Sequence, residues 1–294
     1  MQASAKSIQP GSRRTSLAKL PWWAFILVAT GVLLIYLILA DQKYNETFWY
    51  LTQGIIVTLR ITVISYFLAT VIGLLVGLAR MSKNVFINNA ATLYVETMRG
   101  VPMVVLILYM AFVIIPIFVN SVQWVGDWGV GWTANQPWSP STVAFWHQIF
   151  LSISGFSIRD LPMEGRAIIA LAFGYGAYEA EVFRAGIQSI GKGQTEAARS
   201  LGMTYFQAMR FIILPQAIRR VLPPLGNDFI ACLKDSSLVT VLAINDLTQL
   251  SRLRRSSTFR VTETFNVVTF LYLSMTLLLS GIVRWLEQRM KIEE

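Results

Sequence analysis

With one cysteine (Cys232) and one histidine (His147) in 294 residues, this chain can form neither an intrachain disulfide nor a cysteine-rich metal cluster. The lone imidazole also argues against a histidine proton relay or a metal site. No Ser-Lys or metal-ligand spacing is present, so the sequence offers no obvious catalytic set and is not expected to be an enzyme on its own. The phosphate-binding pattern G-x-x-x-x-G-K-[ST] is missing, which assigns any nucleotide chemistry to another chain. Charge is scarce as well, at 14% of residues against 54% hydrophobic, with a mean hydropathy of +0.54. Such a balance is too apolar for an ordinary soluble domain and indicates an integral membrane protein. The net charge of +9 would suit nucleic acid, but the Lys and Arg lie beside apolar runs, where they set membrane orientation. No nucleic-acid partner is expected; membrane lipid is.

What the sequence does have is apolar runs of membrane-crossing length, which predict an all-α chain of about six spans. Residues 1–21 carry Lys6, Arg13, Arg14 and Lys19 without an acid and read as a cytosolic tail. Trp22 to Ala40 follows as 19 uncharged residues, nearly enough to cross a ~30 Å hydrocarbon core. Its length, and the lack of a small residue at the first position of Ile38-Leu39-Ala40, favour a retained span over a cleaved signal peptide. Gln53–Ala79, Val101–Val119, Ala167–Gly186, Leu225–Ile244 and Phe265–Val283 supply the other five, placing both termini in the cytosol. Between them, residues 120–165 read as an external loop anchored by interfacial indoles at Trp124, Trp128, Trp132, Trp138 and Trp146, or as a rim for an external binding protein. Arg252, Arg254, Arg255 and Arg260 oppose this topology, because they fall in an outer loop unless that loop folds against the protein.

The segment from Ile190 to Arg220 is charged, Gly-punctuated and cytosolic in this scheme. Glu196 is expected near the start of a short helix, where a carboxylate meets the positive end of the helix dipole. Ala197 and Ala198 present a surface nearly without side chains, and Gly202 supplies a turn. Phe206, Met209, Arg210 and Ile213 then recur at helical spacing, predicting a second short amphipathic helix that Pro215 ends. An interfacial loop that only binds headgroups would need the arginines but not the Ala pair or a Gly at a set distance.

Glu196-Ala197-Ala198, Gly202, Ile212, Leu214 and Pro215 together resemble the cytoplasmic coupling loop of ABC importer permeases, whose pattern is E-A-A, three residues, G, nine residues, I-x-L-P. Gly54 to Arg80, Glu96 to Pro102, Ala177 to Arg184, Lys192-Gly193-Gln194 and Pro223 to Asn227 extend the likeness to the polar amino acid subfamily, over about residues 50–290. This resemblance implies a five-helix permease core preceded by an extra N-terminal helix at 22–40. It also implies a bacterial inner-membrane location and an import function driven by ATP and Mg on two separate ATP-binding subunits. An external amino acid-binding protein and a second permease subunit, paralogous or identical, would complete the assembly. An ion-coupled secondary transporter is the rival reading; it would show an inverted repeat, which is not seen, and would leave the Ala-Ala loop unexplained.

Ionisable groups within spans are the candidates for the substrate pathway, since each costs ~2.5–3.5 kcal/mol at mid-bilayer unless paired or wetted. If the fifth span begins near Pro223, Lys234 lies about 16 Å along it, close to the midplane. A zwitterion needs an anion for its ammonium and a cation for its carboxylate, which Lys234 with Glu181 or Asp235 would supply. The structural alternative pairs Glu181 with Arg184, and Glu96 with Arg99, at i,i+3 spacing.

Overall fold

The computed structural model describes residues 22–290, so the basic tail at 1–21 and Lys291 lie outside the described residues. Among these there is no strand. Trp22–Ala40 is helix α1, and the very next residue, Asp41, caps α2 (Gln42–Ala79) by accepting from the Lys43 amide at 2.7 Å. That cap starts α2 at Gln42 rather than Gln53. Its 38 residues then span about 57 Å, well beyond a bilayer core. After α3 (Val85–Gly100), capped by Asn84, the chain forms α4 (Met103–Tyr109), a π turn (Met110–Ile114) and α5 (Ile115–Ala134) as one unbroken rod.

Residues 120–165, expected as a loop, are therefore mostly helical, because α5 runs to Ala134 and α6 (Pro140–Ser154) folds back along it. Glycine makes this hairpin tight. A Cβ on Gly126 would lie 2.3 Å from the Ser154 nitrogen, and one on Gly129 would meet the Phe150 ring at 2.1 Å. These glycines form a packing surface between the two helices. His147 joins the same pair through Thr133 Oγ1, 3.2 Å from its Nδ1.

The centre of the molecule is α7 (Met163–Gln188), which lies along α2 and also meets α3 and α10 (Leu214–Asp235). Ile61, Ile107, Leu171, Tyr175, Cys232 and Val239 are in the shared core. Beyond α10 a 3₁₀ segment (Ser236–Leu242) leads to α11 (Leu247–Thr258) and α12 (Val261–Met290). Among the described residues, four helical segments are long and apolar enough to cross a membrane: Trp22–Ala40, Gln42–Ala79, Met103–Ala134 and Val261–Arg289. With 26 and 22 residues, α7 and α10 have spanning length as well, but their ionisable residues lower their hydropathy.

Three of the four discordant arginines, Arg254 and Arg255 on α11 and Arg260 just after it, fold against the protein, while Arg252 is exposed. Arg254 and Arg260 both reach Glu46 of α2, at 3.2 and 2.7 Å, while Arg254 and Arg255 stack over Tyr50 and Phe265. Asp246 caps α11, accepting from the Thr248 and Gln249 amides, and its burial pushes the carboxyl above the usual range. At this corner a Cβ on Gly54 would sit 2.7 Å from the Leu247 backbone. Backbone cannot swing aside, so Gly54→Leu is expected to separate α2 from α11 at a cost of about 1–3 kcal/mol or more. A lowered thermal midpoint of the detergent-solubilised chain is the expected reading, and an unchanged midpoint would show that the corner yields freely.

Candidate functional site

The segment 190–220 folds as two short helices and an elbow. Helix α8 (Lys192–Ser200) begins after Gly191, so Glu196 is its fifth residue, mid-helix and exposed, rather than at the dipole end expected for it. The two alanines divide their roles: Ala197 is exposed, and Ala198 is buried. At the end of α8 the chain reverses through Gly202, which takes φ +79. The Gly202 amide donates to Arg199 O at 2.9 Å and the Met203 amide to Ala198 O at 3.1 Å. This is the Schellman arrangement, in which a left-handed residue closes off the last carbonyls. Thr204 then opens α9 (Tyr205–Ala208) with a reciprocal capping box to Gln207.

Pro215 does not end this second helix, contrary to the expectation for it. Helix α9 passes through a π turn (Met209–Ile213) straight into α10, with the Leu214 amide donating to Met209 O. A proline ring collides with the carbonyl four residues earlier in a regular helix and gives no N–H. The widened turn just before Pro215 accommodates both faults, and an equivalent turn at Met110–Ile114 precedes Pro116. The result is a rigid connection from the elbow into the core helices. Ile187, Ile190, Met209, Ile213 and Ala217 form its apolar anchor, and Gln216 donates to Gln194 at 3.3 Å. Ile212 is half-buried in it, while Leu214 and Pro215 face outward. Leu201, Tyr205 and Phe206 are 82%, 59% and 73% exposed, so the elbow presents apolar side chains that the chain itself leaves uncovered.

The intramembrane candidates separate into two places. Glu181 accepts from Arg184 on its own helix and from Arg80 at the end of α2, and Arg80 also lies 3.8 Å from Glu96. Two guanidiniums already neutralise Glu181. Arg99 stacks over the Tyr178 ring instead of pairing with Glu96. Lys234 and Asp235 end α10 rather than occupying its middle, because the helix begins at Leu214 and carries Pro223 and Pro224 inside it. Asp235 accepts from the Tyr175 hydroxyl at 2.7 Å. The structure therefore does not bring Glu181 to Lys234.

Lys234 lines a cleft of about 500 Å³ between the end of α10, α11 and α12. Ser237, Thr248, Ser251, Thr269, Tyr272 and Thr276 add hydroxyls to it. Sequence reasoning missed these partners, although Thr269, Tyr272 and Thr276 recur at i, i+3 and i+7 within an apolar run, the spacing of one helix face. An exposed ammonium among hydroxyls, with no ion pair among the described residues, suits a carboxylate and a polar side chain.

Residues 69–292 match the family described as binding-protein-dependent transport system inner membrane component. The glutamine transport system permease protein GlnP of Escherichia coli (strain K12) is 34% identical over 242 residues, 82% of this chain and 93% of that protein. The probable amino-acid ABC transporter permease protein YckA of Bacillus subtilis is 37% identical over 210 residues, 71% of this chain and 74% of its own. Among solved structures, an amino acid ABC transporter crystallised with histidines superimposes with a TM-score of 0.64 at 33% identity, covering 86% of this chain and 98% of that one.

Proposed function

Because this chain belongs to the family of binding-protein-dependent transport system inner membrane components, we propose that it is the transmembrane subunit of an ABC importer that carries polar L-amino acids into the cytoplasm. The observation that carries this reading is the exposed two-helix elbow around Gly202, joined without a break to α10. A soluble ATPase gripping the elbow would move the core helices as a lever moves its shaft. Two ATP-binding subunits supply ATP and Mg chemistry; closing on nucleotide, they draw two such elbows together and turn a pair of permease subunits outward. Hydrolysis resets the pair, and an external amino acid-binding protein delivers the cargo. The second permease subunit is paralogous or identical, and the elbow and both termini face the cytosol.

Within this scheme the cleft at Lys234 is the substrate's place. The ammonium takes the α-carboxylate, the hydroxyls of α11 and α12 take polar side-chain atoms, and Asp235 holds Tyr175 at the edge of the site. Glu181, Arg184, Glu96 and Arg99 serve the packing of α2, α3 and α7 in this arrangement rather than the cargo. Uptake of radiolabelled amino acid into proteoliposomes holding the assembled complex tests the proposal. Uptake is expected only with ATP on the ATPase side and with both ATPase subunits present. Accumulation by this chain alone under an ion gradient would establish the secondary-transport reading instead.

A further inference from the structure

The side chain of Glu179, on α7, is fully buried, and neither of its oxygens accepts a hydrogen bond. It sits where α7 packs tightly on α2: a Cβ on Gly73 would lie 2.6 Å from the Glu179 Cβ. The groups facing it are Tyr66 and Thr70 on α2, Tyr94 on α3, and Asp228 and Cys232 on α10. No cation is among them. Each facing hydroxyl has already given its hydrogen to a backbone carbonyl: Tyr66 to Leu225 O at 2.5 Å, Thr70 to Tyr66 O at 2.9 Å, and Tyr94 to Phe173 O at 2.6 Å. Apart from the weak S–H of Cys232, only oxygen lone pairs remain to face the carboxyl. Such a surround accepts a hydrogen bond from a carboxylic acid, whereas a carboxylate would have to draw Tyr66 or Thr70 away from its carbonyl. Asp228 adds a second acid, which disfavours another negative charge.

We propose that Glu179 is a proton-binding site, occupied in this packing of α2, α7 and α10 and emptied when that seam opens. A crevice of about 380 Å³ lined by Tyr66, Thr70, Leu225, Gly226 and Phe229 covers the two α2 hydroxyls from the α10 side, giving water a short approach once α10 shifts. An ionised carboxylate is tolerated only where water or a donor reaches it. The closed seam thus binds a proton that the open seam releases. By linkage, low pH favours the closed packing, and raising pH through the titration of Glu179 favours the open one. This device goes beyond the import reading, since it holds for the helix packing whatever the cargo.

Two readouts on the intact, lipid-reconstituted chain test it without transport. Infrared spectra at neutral pH are expected to show a carboxylic-acid carbonyl stretch that is lost in Glu179→Gln. Absence of any such band in the natural chain overturns the proposal, as does a band that Glu179→Gln leaves intact. Cys232, buried on α10 beside the site, is the only cysteine and reports seam opening through its rate of reaction with a small thiol reagent. A charged Glu179 would itself disfavour the Cys232 thiolate and slow labelling of the natural chain, so it opposes, and cannot mimic, a rise in the ratio of natural to Glu179→Gln labelling rates. That ratio is expected to rise with pH, by up to about tenfold per unit, the limit for one proton. A ratio constant with pH overturns the linkage.

Discussion

Gly202→Val is expected to cut amino acid uptake by the assembled transporter at least about tenfold while leaving the chain folded in the membrane. At φ +79 the elbow is in the left-handed region, where a Cβ strains the backbone by roughly 1–2 kcal/mol, and a β-branched residue is worse placed still. Space is not the difficulty, since nothing lies within 4 Å of a Cβ built there. The strain falls on the conformation alone, so the chain relieves it by leaving the left-handed turn. The Schellman bonds from Gly202 and Met203 to Arg199 and Ala198 are then lost, and α8 no longer lies across α9. Uptake and ATP hydrolysis should separate: hydrolysis by the bound ATPases continues or becomes indifferent to the external binding protein, and transport stops. Gly202→Asn, which tolerates positive φ, is expected to retain much of the coupling. Normal coupling in Gly202→Val would remove the elbow from the lever role.

Lys234→Ala is the second large effect. A charge-assisted hydrogen bond is worth about 1.5–3 kcal/mol, so loss of the ammonium is expected to raise the KM for uptake about ten- to a hundredfold. Lys234 is exposed in its cleft and has no ion pair among the described residues, so its removal leaves no buried partner behind. The thermal midpoint should therefore hold. Lys234→Arg keeps the charge with a planar fork in place of a point donor, and a partial recovery is expected. An unaltered KM in Lys234→Ala would place the substrate elsewhere. Glu181→Gln makes the contrast: the two arginines around it predict altered helix packing and stability, with little change in which amino acids are carried.

Much of this was legible in the chain because membranes restrict the options. Apolar length marked α1 and the bodies of α2, α4 and α12, and the spacing of Glu196, Gly202 and Pro215 marked the elbow. The misreadings share a cause. Pro215 was taken as a helix end and Pro223 as a start, yet both lie inside a continuous helix, and the segment from 120 taken as a loop carries Gly126 and Gly129 inside another. Local preference says what a residue costs within a helix. Whether that cost is met depends on a widened turn or a neighbouring helix that periodicity does not display.

By itself the sequence determined that the chain is helical and membrane-embedded, because hydropathy and charge are properties of residue types. It marked the position of the elbow, because a left-handed turn favours a glycine. Only the tertiary structure decided which charges meet. Glu181 is neutralised by Arg80, about a hundred residues away in the chain, Lys234 opens into hydroxyls from α11 and α12, and Glu179 is faced by hydroxyls whose hydrogens go to backbone carbonyls. Electrostatic partnership depends on distance in space and on how much water remains, and neither is written in the order of the residues.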